Sequence, residues 1–153
     1  MSGKDISLEY ANSIMYDLQK AFWDERGKGA RFRMTNVGRE YFRDKGLSQL
    51  KTRSVPEIVE AIGKILQDEG IIASLVQEQD DRLLRLTIQG CLHHDVERRF
   101  VDKGVEPFTC VPANLVVMAL EDALDRPVEL AEIKVEDGSC ALLLVLFDRR
   151  ENP

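Results

Sequence analysis

From Pro112 to Leu124 the sequence reads PANLVVMALEDAL, and its apolar residues do not keep to one side. In helical register the stretch from Ala113 is apolar nearly all round at its start, a pattern a helix adopts where other elements cover it. This helix is therefore expected to be buried, and the chain has to supply a layer to bury it. Two pairs of strand-like runs do so. IIASLVQEQ and RLLRLTIQ flank a polar QDD, with Leu84, Leu86 and Ile88 on one face of the second run. VELAEIKVE and SCALLLVLF flank Asp137-Gly138, a hairpin-turn dipeptide.

The remaining segments read as helices. Leu8, Ala11, Ile14, Met15, Leu18 and Phe22 recur at helical spacing between Ile6 and Asp24, before the glycines at 27 and 29. A shorter helix is expected from Thr35 to Lys45, capped by Thr35 or Asn36 and stopped at Gly46. Ser54-Val55-Pro56-Glu57 is a capping box, and Ile58, Val59, Ile62, Ile65 and Leu66 follow in register until Gly70. Leu92 to Lys103 carries a narrow apolar stripe of Leu92, Val96 and Phe100 among charges. Antiparallel strand pairs with segregated helices define an α+β fold. We expect a single domain over 1–153, an antiparallel sheet built from two β-hairpins with helices packed on it. Residues 1–50 would form N-terminal helices and 54–148 the core.

A chain of 153 residues buries enough surface to fold without a staple. Its longest apolar run, Ala141 to Phe147, is strand-length, so no membrane span is expected. The N-terminus MSGKDISLEY lacks a signal-peptide core, which points to the cytoplasm, and three cysteines there suit free thiols or metal ligands better than disulfides. A net charge of -6 argues against direct nucleic-acid binding, and the basic stretch Arg26, Lys28, Arg31, Arg33 reads as a solvated loop.

QGCLHHD, at 89–95, gathers Cys91, His93 and His94. Adjacent helical positions lie about 100 degrees apart, so at most one histidine can share a face with Cys91. The spacing matches neither CxxC pairs nor HExxH. A strand-to-helix junction is the plain reading. Cys110 lies between two prolines at the mouth of the buried helix, where the helix dipole would favour a thiolate. Cys140 opens the last strand. If one sheet carries both, Cys110, Cys140 and a carboxylate such as Glu132 or Glu136 would meet. No pattern in the chain specifies a catalytic residue; a thiol-dependent activity centred on Cys91 or Cys110 is the enzyme alternative.

The segments CLHHDVERRF, PFTCVPANLVVMALEDAL, RPVELAEIKV and EDGSCALLLVLF, in that order, resemble the vinyl-4-reductase, or hydrocarbon-binding, domain family across roughly the last two-fifths of the chain. The resemblance implies a hydrophobic small-molecule ligand held between helices and sheet, with Phe100, Phe108, Leu115, Met118 and Leu143 near it. The same residues suit a plain core equally well. It also implies a homodimer through the first helix, with Phe22 and Trp23 at its end, and signalling through that dimer or a regulatory partner. Zinc-binding relatives imply a site at Cys110, Glu132 and Cys140, completed by Cys91, His93, His94 or water, while Val135 stands where they carry another cysteine. The family implies an accessory role in tetrapyrrole reduction as an alternative, and an iron-sulfur site is the alternative implied by a related Cys-Pro pattern in some iron-sulfur transcription regulators, which Gly-Cys-Leu-His at 90–93 matches poorly.

Overall fold

The computed structural model describes residues 6–30, 37–44 and 50–148. Helix α1 spans Leu8–Arg26, where the Ser7 hydroxyl accepts from the Tyr10 amide, and a single 3-10 turn follows at Gly27–Gly29. The short α2 is Arg39–Arg43; the expected caps Thr35 and Asn36 and the stop at Gly46 lie outside the described residues. Gly38, at φ 96°, precedes α2, so the helix begins later than its apolar pattern suggests.

Helix α3, Val55–Asp68, starts at Ser54, whose hydroxyl accepts from the Glu57 amide. The second half of the capping box is replaced. Glu57 takes the Thr52 hydroxyl, and the Thr52 oxygen accepts from the Ser54 amide. Strands β1 (Ser74–Asp80) and β2 (Leu83–Gln89) form the first hairpin, α4 is His94–Asp102, α5 is Val111–Leu124, and β3 (Val128–Glu136) with β4 (Ser139–Leu146) forms the second. No helix among the described residues is long and apolar enough to cross a membrane.

The hairpins join edge to edge. The sheet order is β1-β2-β4-β3, all antiparallel, so the inner strands β2 and β4 come from different hairpins. Leu84, Leu86 and Ile88 stand opposite Leu144, Leu142 and Cys140 in register, giving one continuous apolar face. Helices α3 and α5 share the main core with that face, and α5 is buried from Pro112 to Leu120 as its sequence requires. Asp125, in the left-handed region at φ 53°, turns the chain out of α5 toward β3.

Strand β3 departs from simple alternation. Leu130 faces Leu144 across the pair, but Glu132, not Ala131, faces Leu143. The extra residue is a β-bulge, and it exchanges the two faces for the rest of the strand. Ile133 and Val135 join the core side, while Glu132, Lys134 and Glu136 turn outward.

Helix α1 docks on α4 through a side rotated from the apolar face read in the sequence. Asn12 and Gln19 are buried, and Met15, Tyr16, Phe22 and Trp23 pack on a second cluster of Ala30, Val96, Phe100 and Phe108. Leu8, Ile14 and Leu18 point out, with Leu18 68% exposed. The rotation has a polar cause: the Asn12 side-chain amide donates to the Leu92 carbonyl at 2.9 Å, and Arg99 donates to the Ser13 hydroxyl at 3.0 Å.

Gly90 makes the corner between β2 and the turn that leads to α4. Its φ of +66° and an ideal Cβ only 2.7 Å from the Ala73 Cβ exclude a side chain there. Gly90→Ala is expected to lower stability by about 1–3 kcal/mol, measured as a lower urea midpoint with unchanged slope. An unshifted midpoint would mean the corner relaxes freely.

Candidate functional site

Three elements bring the cysteines together. Cys91 follows the Gly90 corner, Cys110 is the N-cap of α5, and Cys140 lies on the core face of β4 opposite Ile88 and Val135. The carboxylate that meets them is Glu97, on the inward side of α4 and only 4% exposed. The Cys140 thiol donates to Glu97 Oε2 at 2.8 Å, and the Cys110 thiol also hydrogen-bonds this carboxyl. Cys91 Sγ accepts from the His93 amide at 3.4 Å, which ties it to the turn rather than to the helix itself.

Glu132 takes no part in this. The bulge at Ala131 puts it on the outward face, exposed and ion-paired with Lys134 at 3.6 Å. Glu136 is exposed too, though its charge still opposes ionisation of Cys140. Glu97 was missed in the sequence because it sits among the charges of ERR. The signal was its spacing: four residues after His93 and three before Phe100, it shares their side of the helix.

Burial dominates the electrostatics. It holds the Glu97 carboxyl above the usual carboxylate range, and the hydrogen bonds from Cys140 and Cys110 only partly offset this. Burial pushes the Cys91 thiol up to about 11, with Glu97's charge adding to it and the His93 and His94 amides opposing. Cys110 lies well above an ordinary thiol, from burial first and then the charges of Glu97 and Cys91. The expectation of a Cys110 thiolate at the helix mouth is thus reversed: desolvation outweighs the helix N-terminus. Cys140 is raised for the same reasons.

The two histidines separate, as adjacent helical positions must. His94 Nε2 donates to the Glu136 carbonyl at 2.8 Å, which places its proton on Nε2. Arg98 donates to Asp137 at 3.0 Å and the Gly90 amide to the Gly138 carbonyl at 3.2 Å, so α4 and its approach are clasped to the β3–β4 turn above the thiols. His93 turns inward, with Nδ1 buried and unpartnered among the described residues, and burial lowers its pKa. Among those residues, no three histidine, cysteine or carboxylate side chains are arranged to hold a metal ion as they stand.

A groove of about 890 Å³ opens on the other side of the 104–108 segment. Trp23 and Phe108 form one wall, stacked with centroids 5.3 Å apart, and Leu130, Ile133 and Leu143 form another. Lys28, Glu106, Glu132 and Lys134 lie among its lining residues. Of the residues expected near a ligand, Phe108 and Leu143 line this groove, and Phe100 stands behind Phe108 at 5.3 Å, edge to face. Leu115 is fully buried in the main core, and Met118 lines a separate hollow of about 270 Å³ beside α2. Trp23, expected on a dimer surface, turns inward to the groove. No protein-family model and no curated protein matches the chain.

The raised Glu97 pKa has a definite sign in folding. Between the unfolded carboxyl value near about 4.3 and its folded value, the native state holds a proton that the unfolded chain has released. Stability therefore falls as pH rises through that window. Denaturant titrations of Glu97→Gln are expected to lack this component, so that wild type loses ground to the variant as pH climbs from about 4. A stability difference that does not change with pH would show that Glu97 titrates as an ordinary carboxyl.

Proposed function

We propose that this chain is a small-molecule-binding module of the hydrocarbon-binding type, and that the groove beside Phe108 takes a hydrophobic ligand. The observation that carries the reading is the Trp23–Phe108 stack, in which the half-buried Trp23 lies against the buried Phe108 along the wall of the groove. A planar apolar ligand would extend that stack, an arrangement aromatic pairs favour. The outward stripe Leu8, Ile14 and Leu18 on α1 supports signalling through a homodimer or a regulatory partner. Three free cysteines fit a reducing, cytoplasmic setting.

The sequence holds a single tryptophan, Trp23, so its emission reports on the groove. Titration with 1-naphthol is expected to change that emission saturably, and Phe108→Ala to weaken binding by about tenfold, equivalent to roughly 1.4 kcal/mol. Absence of a saturable response to 1-naphthol, decanoic acid and 1-anilinonaphthalene-8-sulfonate alike would sink the reading.

A second, compatible reading is favoured by Glu97, a buried acid whose hydrogen-bond partners are thiols. A divalent cation would compensate a charge that burial otherwise makes costly. Cys91, Glu97, Cys110 and Cys140 would hold zinc, which would cross-link β4, α4 and α5. Protein purified without chelator is expected to carry about one zinc per chain, with Glu97→Gln and Cys110→Ser carrying less. Elemental analysis that finds no stoichiometric metal in the wild type removes this reading and leaves the groove untouched.

A further inference from the structure

We propose that the groove takes an extended peptide segment, which pairs its backbone with Ile133 on the free edge of β3 and lays an aromatic side chain against Trp23 and Phe108. The inference rests on the groove being where an aromatic group binds, and adds the chemical class that carries the group.

Strand β3 is an outer strand, so one side of its backbone has no strand beside it. The ladder decides which groups lie on that side. On β4 the Leu146 amide donates to the Arg82 carbonyl at 2.8 Å, and the Phe147 amide to the Pro127 carbonyl at 2.9 Å. Bonding direction alternates along a strand, so even-numbered residues of β4 bond β2 and odd-numbered ones bond β3. Val145, Leu143 and Ala141 are therefore spent on Glu129, Glu132 and Lys134, their partners in register. Ile133 stands opposite the even-numbered Leu142, and its N–H and C=O point away from β4. Neither group finds a backbone partner elsewhere among the described residues.

The groove runs along that edge. Successive side chains of a strand point to opposite faces, yet Leu130, Ala131, Glu132, Ile133 and Lys134 all line the hollow, which places it beside the strand rather than over either face. A peptide laid antiparallel to β3 exchanges two main-chain hydrogen bonds with Ile133. The peptide residue opposite Ile133 sends its side chain to the same face as Ile133 does. That is the core side, where Ile133 packs and Phe108 is buried with Trp23 against it. The residues on either side of it turn outward with Glu132 and Lys134, so the occupant is an aromatic residue between polar ones. Main-chain bonds supply affinity and the ring site supplies specificity, as when a peptide adds to any sheet edge. The bulge at Ala131 and the charges of Glu132 and Lys134 blunt the edge against long pairing with another copy of the chain. They leave a short stretch around Ile133, which suits a peptide better than a second copy.

The probe is the blocked pentapeptide acetyl-Ser-Thr-Phe-Thr-Ser-amide, added to the full chain with Trp23 emission as the readout. Its binding is expected to be saturable and to compete with 1-naphthol. Methylating the Phe nitrogen of the peptide removes the donor to Ile133 and should weaken binding at least about tenfold. Methylating either Thr nitrogen, which points away from β3, should change it less than about twofold. Ile133→Pro deletes the protein's own donor at an edge position, where proline is tolerated, and should lose the peptide while keeping 1-naphthol. If that variant does not fold, slower hydrogen exchange at the Ile133 amide of the peptide-bound wild type supplies the same test. Naphthol binding without a peptide response overturns the proposal and leaves the small-molecule reading standing. Equal weakening by all the methylated peptides overturns the pairing on Ile133, and a response that tracks protein rather than peptide concentration overturns the peptide in favour of a second copy. Peptide binding that shows the alternating pattern without any naphthol response sustains the proposal and removes the small-molecule reading alone.

Discussion

The pairing of β2 with β4 is the contact on which the rest of the molecule depends. Each hairpin alone would expose the apolar side of its strands, and an isolated two-stranded hairpin is marginal in water. Joined through β2 and β4, the hairpins present Leu84, Leu86 and Ile88 beside Leu144, Leu142 and Cys140 as one surface. That surface is wide enough to help cover α5, and α3 closes the core with it. The same register sets Cys140 opposite Ile88, a few residues before Cys91 in the chain. The hydrophobic sheet thus creates the thiol cluster as a consequence of its own alignment.

Helix α4 links that core to the smaller one beneath α1. One side of it sends Glu97 toward the thiols and Phe100 toward Tyr16 and Phe108. Its outer polar side chains hold it in place: His94 and Arg98 on the β3–β4 turn, and Arg99 on Ser13 of α1. The surface ion pairs among these contribute little individually. Their effect is positional, since each fixes the helix that a buried acid must ride on. Burying that acid is costly unless its oxygens find donors, and the two thiols supply them.

Much of the fold was legible because it follows from local rules. The Ser54 cap, the Asp137-Gly138 turn and the all-round apolar Ala113–Leu120 stretch each specify an element with little help from the rest of the chain. The apolar face of α1 was less legible: Asn12 and Gln19 sit on the buried side, and only the Leu92 carbonyl and the α4 surface explain why. Trp23 likewise looked like a surface anchor until Phe108 stood against it.

The candidate site divides along the same line. By itself the sequence determined that Cys110 opens a buried helix, that Cys140 begins a strand, and that His93 and His94 diverge, because helix and strand periodicities decide these locally. Only the tertiary structure decided which carboxylate joins them. An uninterrupted β3 would have kept Glu132 on the side of Leu130, but one extra residue at Ala131 exchanges the faces, and a shift of one residue moves every side chain beyond it. Glu97, written among charges as though for solvent, is buried because α4 is clasped over the thiols by contacts to residues some forty positions away. Long-range pairing chooses among faces that local spacing leaves equivalent.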